Sequence, residues 1–509
     1  MDIERIELGG YLRLEDFMAV VRHHEKVALS EEFCARVEKS RAMVERCVAE
    51  ERVVYGTTTG FGRLVSQTID KSQAEQLQKN IILTHAVAVG EPFGEEEVRA
   101  ILLMSLQSMG CGFSGVRLLV AERYVLFLNR NLIPYAPSHG SVGYLNVEGH
   151  IVAAMLGEGK IYYEGELLES AEAHRRAGIE PLSLSYKEGL ALINGTISAS
   201  ALAAVAIHDL LGAAKAADVV AALSLEGLKG LVKAFDPRVA EARPQREIAD
   251  TMDNIRRILA DSQVVEAYKD SHVQDALSLR SIPQHHGAAK RVLRNALEVV
   301  EAEINSTGDN PILVEEDRDV LAISSGNPDA AYVGMQMDAA AIAATGLAKM
   351  SERRNVRFLD TNLSGYPWFL VHNPGLNSGL MIPQYTQAGL LNEMRILSTP
   401  ATIDNVTTSA NQEDYVSMGY NACRKAVLTA RKLEYVLAIE LFSAFQAQQF
   451  LDESLIRGRG SRAVYRRMAE LVPVMKEDMY LYPHLETLRN WIHEGGLVKT
   501  AEEAVGELK

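Results

Sequence analysis

The chain has 509 residues, a formal net charge of −15 at pH 7 and a pI of about 5.5, so it carries no basic footprint for nucleic acid. Hydrophobic residues make up 47% and charged residues 23%, an ordinary soluble composition that permits a large core. Cys34, Cys47, Cys111 and Cys423 lack CxxC spacing, which argues against a disulfide framework or a zinc site and fits a reducing compartment. The opening Met-Asp-Ile-Glu-Arg does not read as a secretory leader. No apolar run approaches the roughly 18 residues of a membrane span. The sequence therefore points to a cytoplasmic protein without membrane or nucleic-acid partners.

Taken in order, apolar periodicity predicts helices over residues 14–21 and 31–49. A glycine-rich turn follows at Tyr55-Gly-Thr-Thr-Thr-Gly-Phe-Gly62, then helices over 72–88, 95–109 and 115–130. His139-Gly-Ser-Val-Gly-Tyr-Leu-Asn-Val-Glu-Gly-His150 reads as a glycine-punctuated turn. It runs into a helix over 151–156, closed by Gly157-Glu158-Gly159. Residues 161–168 read as a hairpin turning at Glu164-Gly165. Helix resumes at Lys187 and is interrupted at Asn194-Gly195. Residues 197–229 are apolar on more than one face and predict a buried helix.

Further helices are predicted over 245–261, 284–304, 329–353, 382–395, 411–449 and 460–476. The three long ones, 284–304, 329–353 and 411–449, suggest a bundle of roughly antiparallel helices. The fold class is mainly α: a mixed N-terminal part over 1–195, then a long-helix bundle with C-terminal helices over 196–509. No linker separates them, so they read as one continuous globular unit.

Alone, each polar residue has a plain structural reading. Tyr55 is a packed aromatic, His85 a satisfied core residue and Asn194 a turn residue. Arg280 is half of an ion pair, and Glu413 an acid in a first helical turn. Together the segments resemble the histidine and aromatic amino-acid ammonia-lyase family over residues 50–450. Gly140-Ser-Val-Gly143, Leu145, His150 and Gly157-Glu-Gly159 resemble its active-site loop. The Tyr55 turn, Asn194-Gly-Thr196, Gln274-Asp through Arg280, Asp309-Asn-Pro311 and Gln412-Glu-Asp414 resemble its other motifs.

The resemblance implies the family's fold and a homotetramer whose active sites draw residues from more than one subunit. It implies an electrophilic 4-methylideneimidazol-5-one ring (MIO), formed from Ala-Ser-Gly, between Gly143 and Tyr144. No metal or external cofactor is implied. Gly143 is followed directly by Tyr144, so the expectation is that the tripeptide is carried as the ring. Tyr55 would remove the β-proton of the substrate. A phenol with a pKa of about 10 does so at neutral pH only when its anion is stabilised. Asn194 would hydrogen-bond the ring's carbonyl oxygen. Arg280 and Asn310 would hold the substrate carboxylate, and Gln274 would orient the substrate.

Thr84-His85 and Glu413 resemble the histidine-specific branch. Four positions depart from the family: Leu277 stands for a catalytic Tyr, Pro328 for a ring-contacting Phe, Tyr144 for Asp and Tyr415 for His. Tyr144 is a candidate to replace the missing hydroxyl. Asp329 is read as a cap for the helix that follows it. The implied activity is elimination of ammonia from L-histidine or a histidine-like amino acid, giving an α,β-unsaturated acid. The alternatives are a tyrosine or phenylalanine lyase, a 2,3-aminomutase, and a non-catalytic homologue lacking MIO.

Overall fold

The computed structural model describes residues 5–56, 59 and 73–509. Residues 57, 58 and 60–62 of the Tyr55 turn lie outside the described residues, as does residue 72. The chain forms two compact units, each assembled from separate stretches. The first comprises residues 1–208, 297–338 and 400–424; the second comprises 209–296, 339–399 and 425–509.

The first unit mixes short strands with helices. Helices Leu14–Arg22 and Glu31–Ala49 match the apolar periodicity, the second capped by the Ser30 side chain, which accepts from Phe33 N. Val44, Cys47 and Val48 of that helix pack with Leu313 and Val320 of an antiparallel hairpin, Ile312–Glu316 with Asp319–Ile323. The Lys160–Tyr163 and Glu166–Glu169 strands pair antiparallel. Glu164 and Gly165 between them both have positive φ, 52° and 82°, the turn whose twist suits a two-residue hairpin.

Strands Val89–Pro92 and Pro137–His139 pair antiparallel. This pairing sets the chain after helix Ala74–His85 beside the start of the glycine-punctuated turn. Tyr420 Oη donates to Ser138 O at 2.8 Å and fixes the same strand from outside.

The second unit is built on helices and closes with Arg459–Leu471, Tyr482–His493 and Gly496–Val505. Buried polar pairs lie within it. Arg354 donates to both oxygens of Glu440, at 2.6 and 2.9 Å, and Gln387 donates to Val436 O at 2.9 Å. Four helices contribute residues to both units: Ile197–Gly227, Ile282–Ile304, Ala331–Leu359 and Gly419–Ala447.

Three expectations are corrected. Helix Ile197–Gly227 is, by length and composition, apolar enough to cross a membrane, contrary to the sequence reading; 83% of its apolar window is buried, which marks a core helix. The helix expected from Ile151 begins at Asn146. The helix expected from Asn411 begins at Gly419. Ser409, Ala410, Asn411 and Met418 have φ between 50° and 67°, which ends any helical path. The Asn405 side chain holds the intervening loop, accepting from Val416 N at 2.9 Å and donating to Asp414 O at 3.2 Å.

Candidate active site

A cavity of about 1060 Å³ lies within the first unit. One wall is a face of helix Ala74–His85: Leu77, Asn80, Ile81 and Thr84 line it at helical spacing. His85 completes that wall. Its pKa is lowered by burial, which outweighs a backbone hydrogen bond at Ile81. The ring is therefore neutral at pH 7, able to donate or accept.

The glycine-punctuated turn forms the floor. Gly140, Val142, Tyr144, Leu145 and Asn146 line the cavity. Leu145 sits at φ 80°, ψ −61°, and Asn146 N donates to Tyr144 O at 3.1 Å. This is the positive-φ γ-turn, a strained conformation for leucine. Helix Asn146–Met155 then runs back beneath the site. Its Glu148 is buried and accepts from Ser198 N at 2.8 Å, in the first turn of Ile197–Gly227.

Asn194 lies between helices Glu188–Ala191 and Ile197–Gly227. Gly195 takes φ 113°, and a Cβ there would meet Gly308 at 3.2 Å, so only glycine fits. The Asn194 amide donates to Asn310 O at 2.8 Å and reaches Asp309 Oδ1 at 3.4 Å. Asn310 Oδ1 accepts from Ser325 N at 2.9 Å, so both asparagines are fixed from behind.

Tyr55 lines the cavity from a turn stabilised by Gln78. Gln78 Nε2 donates to Gly56 O at 3.2 Å, and its Oε1 accepts from Gly189 N at 2.8 Å. Pro328 and Asp329 line the opposite side. Asp329 Oδ1 accepts from Ala331 N at 2.8 Å, the capping role read from sequence. Glu413, Asp414 and Tyr415 come from the loop before Gly419. One Glu413 oxygen, Oε2, is buried. Tyr144 is pushed up to about 12, first by burial and then by Glu413, Asp329 and Tyr55. Its hydroxyl stays protonated beside two carboxylates.

The structure thus brings Tyr55, Thr84, His85, Tyr144, Asn194, Asn310, Pro328 and Glu413 to one cavity, with Gly143 in the adjoining turn. Gln274, Leu277 and Arg280 do not line it; they belong to the second unit. Leu277 is 62% exposed, Gln274 is exposed, and Arg280 Nε donates to Asp275 O at 3.0 Å. Sequence reading missed Asn80 and Asn146 on the cavity wall. Asn80 sits one helical turn before Thr84, so its face was legible from the spacing.

Around Gly143 and Tyr144 the side chains fit the ring the resemblance implies: Asn194 offers an amide donor and Tyr55 a phenol. Among the described residues, Asp209, Glu434 and His493 of the second unit place ligand atoms within 4.8 Å of one another. Arg489 forms an ion pair with Glu434 at 2.8 Å, and His493 Nδ1 lies 2.8 Å from the same carboxylate.

A histidine ammonia-lyase of Caldanaerobacter subterraneus is 42% identical over 498 residues, covering 97% of each chain. The crystal structure of histidine ammonia-lyase from Trypanosoma cruzi superposes with a TM-score of 0.92 at 32% identity, over 99% of this chain and 96% of that one. Tyrosine aminomutase from Streptomyces globisporus gives 0.94 at 31% identity, over 99% and 100%. The sequence model of the aromatic amino acid lyase family matches residues 12–470, and the chain belongs to that family.

Proposed function

We propose that this protein is an ammonia-lyase acting on L-histidine or a histidine-like amino acid. It would use an MIO ring derived from Ala-Ser-Gly between Gly143 and Tyr144. The observation that carries the reading is the meeting of Thr84, His85 and Glu413 with Tyr55 and Asn194 in one cavity. The name of the Caldanaerobacter relative supports the same substrate.

When present, the ring supplies an electrophile for the substrate amine and makes it a better leaving group. The chain's own residues do the rest. His85 and Thr84 meet the polar ring of the substrate, and Glu413 can accept from it. Tyr55 takes the β-proton. Asn194 donates to oxygen where negative charge develops, worth about 3–4 kcal/mol in comparable preorganised sites. Asn310 holds the carboxylate. A homotetramer that shares its active sites would bring Arg280 and Gln274 to the cavity. Arg280 then clamps the carboxylate with its two-pronged guanidinium.

The likeness to tyrosine aminomutase favours a second reading, return of ammonia to the β-carbon. Incubation with L-histidine, its derivatives and L-tyrosine separates the two. A lyase gives the absorbance of an unsaturated acid with free ammonia, and a mutase gives a β-amino acid. No product from any of them would contradict both.

A further inference from the structure

Lys187 has no place in the chemistry above, yet its side chain is fully buried, at 0% exposure. It also takes a left-handed backbone, φ 66°, an unfavourable conformation for a lysine. The chain holds it there from both sides. On one side, Glu188 is buried and accepts from Arg117 Nε at 2.8 Å and Ser185 N at 2.7 Å. On the other, a Cβ at Gly189 would stand 2.6 Å from Gln78 O, so the backbone cannot shift outward.

Lys187 Nζ donates to Asp309 Oδ2 at 2.5 Å, and Asp309 is 1% exposed. The second oxygen of that carboxylate accepts from Asn310 N at 2.7 Å and lies 3.4 Å from the Asn194 amide. Asn194 in turn donates to Asn310 O at 2.8 Å. One buried carboxylate therefore ties a cation, a backbone N–H and two asparagines into a closed set. A lone buried carboxylate is costly, and removing its cation leaves it uncompensated.

We infer that Lys187 is a positioning residue: through Asp309 it fixes the Asn194 amide on the cavity wall. The inference rests on the role proposed for Asn194 above. Lys187 does not touch the substrate; it keeps a donor preorganised, which is where such donors gain their effect.

The test uses the full-length protein with K187M, K187M/D309N, N194A and K187M/N194A. Crystal structures, thermal melts and steady-state kinetics on L-histidine are compared. In K187M the Asn194 amide leaves the Asn310 carbonyl, and kcat falls about tenfold or more while KM changes little. K187M/D309N removes the uncompensated charge, so it melts near the parent temperature while kcat stays low. Adding K187M to N194A lowers kcat no further, because both act through one group.

An unmoved Asn194 in the K187M structure would overturn the inference. So would a K187M/D309N protein that regains kcat together with stability, or additive losses in K187M/N194A. The position of Asn194 is read whether or not histidine is turned over. A parent protein inactive on histidine would therefore count against the proposed substrate and leave the positioning test standing.

Discussion

Gly149 packs on the backbone of His85: a Cβ at position 149 would stand 2.8 Å from the His85 carbonyl carbon and from Ala86 N. This contact lets helix Asn146–Met155 approach the end of Ala74–His85. It sets how far the Gly143–Tyr144 turn lies from the ring of His85. Alanine in a helix is ordinarily favoured over glycine by about 1 kcal/mol. Here the atoms met are backbone and cannot swing away, so the sign reverses. Gly149→Ala should lower the melting temperature and raise KM for L-histidine more than it lowers kcat.

His85 is the residue expected to read a polar substrate ring. Burial lowers its pKa, so it would meet a substrate as a neutral imidazole. His85→Leu leaves the polar ring without that partner, and kcat/KM for L-histidine should fall by about 1–3 kcal/mol. An apolar-ring substrate such as L-phenylalanine should lose less. Equal losses for both would show that His85 does not select the ring.

Tyr144 offers a protonated hydroxyl beside Glu413, Asp329 and Tyr55, its pKa pushed up to about 12 by burial and those groups. Tyr144→Phe should lower kcat without adding a new ionisation over roughly pH 6–10, since the hydroxyl does not titrate there. Unchanged turnover would remove Tyr144 as the replacement for the hydroxyl lost at Leu277.

His174 predicts the acid limit of stability. It is 1% exposed, and burial with help from Arg123 lowers its pKa to about 4. The unfolded chain, at the ordinary value of about 6.5, binds a proton that the folded chain refuses between these values. Stability therefore falls as pH drops from about 6.5 to 4, by roughly 3 kcal/mol at most from this group, and levels off below. Denaturant titrations of His174→Phe should show a shallower slope across that window.

Much of this was legible in the sequence, for identifiable reasons. Helix Glu31–Ala49 could be read to the residue because Ser30 caps it and its apolar residues keep one face. The hairpin at Glu164-Gly165 could be read because that pair takes the positive φ the turn requires. The Gly419 start was hidden: Asn411 to Asp414 looks like an acidic first turn, and the hydrogen bonds that hold it as a loop come from Asn405. The early start at Asn146 was hidden by Gly149, which reads as a breaker but serves close packing. Motif segments brought eight named residues to one cavity, whereas Arg280 and Gln274 carry motif similarity but belong to the second unit. Lys187 had no signal, because a buried lysine looks like a surface one in sequence.

An electrophile between Gly143 and Tyr144 underlies the proposed chemistry, and the intact mass of the purified chain reports its presence without an activity assay. The expected mass exceeds that of the 509-residue sequence by the Ala, Ser and Gly residues less two waters. A mass equal to that of the 509 residues would contradict it, leaving the family's fold and cavity without its electrophile.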